Sequence, residues 1–461
     1  MSVRERIMRP FRRAEHAQPG AGALRALGAT EDMYWRFDSV NPLYFGVIAR
    51  FHGAYDEPAM TRAFAAVQVR HPLLRARIEL VGDTPWFFET DRPIPVERMD
   101  IAPGDEWRVL ERSLATGFDT AEGPLLRCVL FERGPADFGL VFTYHHAVAD
   151  GRSATFVIRD LLQSLAQQAR GESAGLPALP LMDYYGDRIR TMQTYSNVAQ
   201  FTDTVSRTWD AAWRFMSRAG IPRGIPSDSS IPLADQQLMI EPRVMEPDRV
   251  REVAKRAKAE SVTMQCVLNA ALTMAVAETR PTQGLEATTC SQVLDLRERL
   301  VPPVGEDCGL FATGNTSMHR IDANTRFWDL SRDIRVGLQA GIDTPLPFFH
   351  AATHNSYARI ARALGHDRAE AFSLILGSMH PEGLAVSNLG RVQVDVPGSP
   401  VRLTAFAFAT NTNVLNSFNT SAATYDGRMT WSFSASSAVG REMLTSIADR
   451  SVGIILEALA E

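Results

Sequence analysis

The residues of this chain whose types and spacing could do chemistry are gathered in one run, His145-His146-Ala147-Val148-Ala149-Asp150-Gly151. An imidazole titrates near neutrality, so it can take a proton from a hydroxyl or an amine at ordinary pH. A hydroxyl needs that help before it attacks a thioester. The thioester brings its own good leaving group, so the protein need not supply a nucleophile. Alternation along the preceding strand points His145 and His146 to opposite faces. Only one of them can serve a given cleft, and the pair does not read as two cooperating bases. Asp150 lies at the turn beyond, where a carboxylate can fix loop geometry without touching substrate. Gly151 is free to take a positive φ and to let substrate come close to the backbone.

The elements that must carry this run are a strand, a tight loop and a helix. Residues 124–132 and 138–146 read as neighbouring strands around the turn-like Gly134-Pro135-Ala136-Asp137. Residues 153–169 follow as a helix, with Phe156, Val157, Leu161, Leu162 and Leu165 on its inner face and Ser153 as a cap. Upstream come a strand over 44–52, a helix over 57–70, a stop at Pro72 and a helical stretch over 105–116. Residues 171–183 form a linker, 187–218 a long helical pattern, and Gly220 to Pro232 a second cluster of breakers. The order then partly repeats: strand 236–243, helices 247–258 and 262–279, further strands and a last helix over 441–459. This pattern predicts an α/β protein of two similar lobes. The expected divisions are a basic arm over 1–20, a first lobe over 21–180, a linker and crossover helix over 181–235, and a second lobe over 236–461.

Length and composition agree. A chain of 461 residues exceeds what one core fills. Hydrophobic residues at 45% and charged residues at 22% are ordinary globular usage. A net charge of −5 excludes the basic footprint of a nucleic-acid binder. No run of 18 apolar residues exists, so no transmembrane helix is expected. The arm carrying Arg4, Arg6, Arg9, Arg12 and Arg13 lacks an apolar run after it and reads as a solvated end, not a secretory signal. Cys128, Cys266, Cys290 and Cys308 form no CxxC pair and read as buried thiols of a cytoplasmic protein.

Two rival chemistries have weaker sequence support. His350 and His354 share a helix face at i, i+4, but no Glu follows His350, so the HExxH zinc pattern is not met. Gly171-Glu172-Ser173-Ala174-Gly175 matches GxSxG in letters. It follows a helix and enters a Pro-rich linker, whereas a nucleophile elbow joins a strand to a helix.

The whole HHxxxDG run resembles the shared mark of the chloramphenicol acetyltransferase-like superfamily, which includes nonribosomal peptide condensation domains. Supporting pieces come in the same order. His71-Pro72-Leu73-Leu74-Arg75 matches "HPxLR", and Gly123-Pro124-Leu125-Leu126-Arg127 matches "GPLxR". Asp295-Leu296-Arg297-Glu298-Arg299, Pro302-Pro303 and Gly314-Asn315 resemble the second-lobe stretch, and Ser387-Asn388-Leu389-Gly390 resembles "SNLG". The resemblance covers about residues 28 to 455. The DFGWG of plant relatives and the SNVPGP-like signature of wax ester synthases are absent, which favours polyketide-associated and standalone condensation enzymes.

That resemblance implies two lobes in a V around a tunnel, with His146 facing the tunnel as general base and Gly151 lining it. Asp150 is implied to be structural, paired with Arg297 of the second lobe. It implies acyl transfer from acyl-CoA or an acyl or peptidyl carrier protein to a small-molecule hydroxyl or amine. The phosphopantetheine thioester is then substrate, no cofactor is needed, and a monomer is expected. An oxyanion needs donors, and Ser387, Asn388 and Asn411 are candidates beside the backbone near Gly151. A plain turn at Asn388-Leu389-Gly390 is an equal reading. The apolar Pro345-Leu346-Pro347-Phe348-Phe349 could shape an acyl pocket or simply pack.

Overall fold

The computed structural model describes residues 18–38, 42–134, 136–191, 235–280, 286–342, 384–412 and 417–461, with scattered positions between 206 and 234. The first lobe runs β1 (Ala23–Ala26), α1 (Ala29–Phe37), β2 (Tyr44–His52), α2 (Glu57–Arg70), β3 (Ala76–Val81), β4 (Thr84–Glu89), β5 (Val96–Met99), α3 (Glu106–Ala115), β6 (Leu126–Gly134), β7 (Asp137–His145) and α4 (Gly151–Ala169). A linker leads to α5 (Tyr185–Thr191). The second part runs β8 (Leu238–Met245), α6 (Pro247–Ala259), α7 (Met264–Glu278), β9 (Glu286–Asp295), β10 (Ala312–Ile321), α8 (Phe327–Ile342), β11 (Leu384–Arg391), β12 (Arg402–Thr410), β13 (Phe418–Tyr425), β14 (Arg428–Ser436) and α9 (Arg441–Ala458).

Local chemistry sets the boundaries that matter. Asp56 caps α2 by accepting from the Ala59 amide at 3.1 Å, and Pro72 ends it after His71. β2 and β7 are rich in aromatic and β-branched residues and buried along most of their length, as central strands must be. They pair antiparallel, with Tyr44 opposite His145.

Two large sheets result. One has the order β12-β2-β7-β6-β5, the other β10-β9-β11-β13-β14-β8, and a small sheet β1-β4-β3 stands apart. The helices α2 and α4 pack on the first sheet, and α7, α8 and α9 cover one face of the second. One strand crosses the division expected at 236. β12 lies late in the chain, yet it pairs antiparallel with β2 as the edge strand of the first sheet. Its alternation explains the crossing. Leu403, Phe406 and Phe408 enter the first core, while Ala407 and Ala409 face the layer of Tyr44, Ile48 and Ile240. Ser432 donates to the Phe408 carbonyl at 2.6 Å and ties the crossing strand back to the second sheet.

The expected helix over 187–218 falls largely outside the described residues, as do His350, His354, Pro345 to Phe349 and most of the basic arm. Among the described residues no helix is long and apolar enough to cross a membrane.

The strand exchange predicts that the first lobe is not an independent unit. A fragment ending at residue 235 leaves the β2 edge unpaired and removes Phe406 and Phe408 from its core. It should aggregate or melt without cooperativity in thermal circular dichroism. A soluble fragment with a sharp transition would contradict the exchange.

Candidate active site

His146 follows the last residue of β7, and its amide donates to Leu43 O at 3.0 Å. Its Nδ1 lies 3.0 Å from Ala149 O, which can only accept, so Nδ1 carries the proton. Nε2 is left bare, with a lone pair available to take a proton. Burial lowers the imidazole below its ordinary 6.5, against the opposing charge of Asp150, so the ring is neutral at neutral pH. Tyr34 and Phe45 flank it at ring distances of 5.5 and 5.0 Å. The side chain is half-buried.

His145 is fully buried and turned the other way. Its Nδ1 accepts from the Ala147 amide at 3.1 Å, which places its proton on Nε2. Nε2 faces Asp38 Oδ1 at 3.7 Å, an electrostatic contact too long for a hydrogen bond. Burial takes His145 down to about 3 and Asp38 up to about 6. The first histidine therefore braces the loop through Ala147.

Asp150 is the N-cap of α4, where sequence reasoning placed Ser153. Its Oδ1 accepts from the Ser153 amide at 2.8 Å and from Ser153 Oγ at 2.9 Å. The remaining capacity goes to the second part of the chain. Arg297 Nη1 donates to Oδ2 at 2.8 Å, Arg297 Nη2 donates to Oδ1 at 3.1 Å, and the Phe311 amide donates to Oδ2 at 3.0 Å. Both residues are almost sealed, at 2% and 3% exposure. Burial alone would raise the Asp150 carboxyl, but Arg297 and the two amides outweigh it and hold the group below the usual carboxylate range. Arg297 also donates to Ser153 Oγ at 3.0 Å and Asp307 O at 3.2 Å, and it lies 4.8 Å from the Phe311 ring.

Gly151 serves differently from the sequence expectation. It opens α4 and is not among the glycines with positive φ. A Cβ there would lie 2.8 Å from Leu389 Cδ2, so the missing side chain admits β11 of the second sheet against the loop. Ser387 and Asn388 sit on that strand, both half-buried. A bulge between Asn388 and Gly390 breaks its register, and Asn388 Oδ1 accepts from the Gly390 amide at 2.8 Å. Asn411 is committed elsewhere. Its Oδ1 accepts from the Tyr44 amide at 3.1 Å and its Nδ2 donates to Pro42 O, so it fastens β12 to β2 and keeps one Nδ2 hydrogen uncommitted by these two bonds.

A second clasp between the lobes was not read from the sequence. Asp160 on α4, fully buried, meets His71 at 2.9 Å, Arg70 at 2.7 Å and Arg159 at 2.8 Å. Glu306, from the loop after Arg297, reaches Arg159 at 2.6 Å and Arg70 at 3.0 Å. Asp160 and Glu306 match no motif, and charge spacing gives no sign that they meet. Ser173 of the GxSxG letters is exposed in the linker, where its Oγ accepts from Gly175. A Ser317–His319–Asp333 chain at 2.6 and 2.6 Å does exist between β10 and α8. Gly337 of α8 closes over Ser317, so the chain leaves no room for substrate and acts as helix-to-sheet glue. Cys128, Cys266, Cys290 and Cys308 are free and buried.

Comparison with known proteins bears on the whole arrangement. Residues 44–290, more than half of the chain, match the Condensation domain family. Residues 244–434 match the phthiocerol/phthiodiolone dimycocerosyl transferase C-terminus. Phosphinothricin tripeptide synthetase of Streptomyces viridochromogenes is 34% identical over 134 residues, 27% of this chain. Bacitracin synthase 1 of Bacillus licheniformis is 22% identical over 284 residues, 59% of this chain. These matches span 12% and 5% of those relatives' length. Among solved structures, the epimerization domain from the third module of tyrocidine synthetase B superposes with a TM-score of 0.69 at 16% identity, over 96% of this chain and 98% of that one. Polyketide synthase associated protein 5 of Mycobacterium tuberculosis gives 0.64 at 16%, over 95% and 99%. A Streptomyces globisporus protein solved with a naphthyl ethanediol and sucrose gives 0.65 at 17%, over 94% and 98%.

The sealed Asp150–Arg297 contact predicts strong coupling. Asp150→Ala and Arg297→Ala each strand a buried charge and should cost about 3–5 kcal/mol in urea unfolding. The double variant should lose less than the sum, and additive losses would show that the two side chains act independently. Asp150's carboxyl is held below its ordinary 3.8, so its contribution is full above that value and is lost as pH falls further.

Proposed function

The chain belongs to the condensation-domain family, and on that premise we propose that it moves an acyl group from a thioester to a hydroxyl or amine, with His146 as general base. The observation that carries this reading is the bond from Nδ1 to Ala149 O, which leaves Nε2 as an unprotonated acceptor in a half-buried setting. The acceptor's X–H gives its proton to Nε2 as its heteroatom attacks the carbonyl carbon. The tetrahedral intermediate collapses, the C–S bond breaks, and the departing thiolate takes the proton back from Nε2. The base ends neutral, ready for another cycle.

The donor is acyl-CoA or an acyl or peptidyl carrier protein, whose pantetheine thioester serves as substrate. The acceptor is a small molecule of natural-product or lipid biosynthesis. Support comes from the family match over residues 244–434 and from the likeness to a polyketide-associated protein. The naphthyl ethanediol bound by one structural neighbour is a precedent for an alcohol in this fold. An epimerization domain shares the fold too, but epimerisation releases no thiol, so thiol release separates the two activities. A silent recruiting module would also release none.

Three results are expected. His146→Ala should lower thiol release on the order of 10²–10⁴-fold with an unchanged melting curve, whereas His145→Ala should mainly lower stability. The base works neutral and its pKa is lowered from 6.5, so log kcat/KM should be flat above neutrality and fall only below pH 6.5. A rising profile through pH 8 would assign the limb to another group. Among the described residues no three His, Cys, Asp or Glu side chains gather as ligands. Exhaustive EDTA treatment should leave turnover intact, and loss restored by zinc would favour a metal hydrolase instead.

A further inference from the structure

We infer that Tyr34 is a catalytic residue of this site, its phenol donating a hydrogen bond to the acyl carbonyl oxygen as that oxygen becomes an oxyanion. The inference rests on the acyl-transfer reading above and names the donor that reading lacks.

The first support is position. Tyr34 lies on α1, and its ring sits 5.5 Å from that of His146 at an interplanar angle of 56°. Phe45 closes another side of the imidazole at 5.0 Å and offers no polar atom. Among the described residues Tyr34 is therefore the hydroxyl-bearing ring beside the base.

The second support is the state of α1. Nearly every polar side chain on this helix is already spent on holding it. Thr30 Oγ1 meets the Tyr184 hydroxyl at 2.7 Å and the Tyr185 hydroxyl at 3.1 Å. Glu31 takes two bonds of 2.7 Å from Arg25, Asp32 pairs with Arg36 at 2.7 Å, and Trp35 donates to Thr120 at 3.0 Å. The helix also packs so tightly that a Cβ on Gly28 would lie 2.0 Å from the Tyr184 ring. Tyr34 is the exception. No hydrogen bond of its hydroxyl occurs among the described residues, and the residue is half-buried whereas Tyr144 is sealed. A half-buried residue on a bolted helix thus carries an uncommitted hydroxyl on the ring that stands beside the His146 imidazole.

The third support is chemical state. Burial, and then Tyr185, raise the phenol above its ordinary 10, so it keeps its proton across the working range. A neutral, preoriented O–H is what a developing oxyanion requires. Asn411 is tied to Tyr44 and Pro42, and Asn388 is turned by its Oδ1 towards Gly390, whereas the Tyr34 ring stands directly beside the imidazole.

The step balances. The acceptor heteroatom forms a bond to the carbonyl carbon and its proton passes to His146 Nε2. The carbonyl π pair moves to oxygen, where the Tyr34 O–H donates without transferring its proton. On collapse the pair returns, the C–S bond breaks, and the thiolate receives the proton from His146.

The test is thiol release by the full chain with an acyl-CoA series and acyl-phosphopantetheinyl carrier protein, comparing wild type, His146→Ala and Tyr34→Phe. Phe keeps the ring contact with His146, so folding should survive, as circular dichroism will show. The expected result is a kcat lower by about 10²–10³-fold for Tyr34→Phe with KM within about threefold of wild type. A kcat within about threefold of wild type, or a change confined to KM, overturns the inference while leaving the His146 reading intact. A wild-type chain that releases no thiol removes both. Should Tyr34→Phe melt early, difluorotyrosine at position 34 keeps the shape and acidifies the phenol. The alkaline limb of kcat then moves to lower pH if the phenol donates, and an unmoved limb overturns the assignment.

Discussion

A carboxylate and a guanidinium sealed together beneath the His146 loop set the geometry on which the rest of this structure depends. Asp150 and Arg297 come from different lobes, and neither is exposed beyond a few percent. Taking both charges out of water is costly, and their attraction offsets that cost only when every remaining site is bonded. Here Ser153, Phe311 and the Asp307 carbonyl supply most of those bonds, and the buried Arg297 Nε is left without a partner among the described residues. The same carboxylate caps α4, so the helix start, the loop and the second lobe share one fixed point. That fixed point places Ala149, and Ala149 O decides which nitrogen of His146 carries the proton. A structural pair thus governs a chemical property four residues away.

Two further joints make the arrangement rigid. β12 threads from the second part of the chain into the first sheet, and Asn411 clamps its end to Tyr44 at the β2 start. The Asp160 cluster with Glu306 closes the outer side of the same helix. Glu306 is half-exposed, so solvent weakens its share, and the buried Asp160 contributes more. Leu389 against Gly151 adds an apolar contact where the two sheets meet at the loop. The lone-base role proposed for His146 calls for such preorganisation, because a base supplies no binding of its own.

Much of this was legible in the residues. The strand, loop and helix around His146 follow from alternation and helical periodicity, and α2 falls on the expected 57–70. Ordered motifs pointed to the two-lobed α/β fold and to Arg297 as the partner of Asp150. Other features had no local signal. Strand exchange by Arg402–Thr410 is a tertiary choice, since an alternating strand reads the same whichever sheet it joins. Gly151 reads as a φ requirement when the real constraint is Leu389, nearly 240 residues away in the chain. Ser153 and Asp150 are both good caps, and only the fold shows that Asp150 takes the position while Ser153 answers it. Asn411 sits in a polar stretch where a donor role and a clamp look alike. Tyr34 stands among charged helix residues, and nothing in that stretch marks its nearness to His146.

The central claim is that His146 is a neutral imidazole with its proton on Nδ1 and Nε2 bare. Long-range nitrogen–proton correlation spectra of histidine-labelled protein read that state directly. The structure predicts, at pH 7, a protonated-type Nδ1 and an unprotonated-type Nε2 for His146, with titration setting in only below pH 6.5. A proton on Nε2, or a ring already charged at neutral pH, would contradict the account.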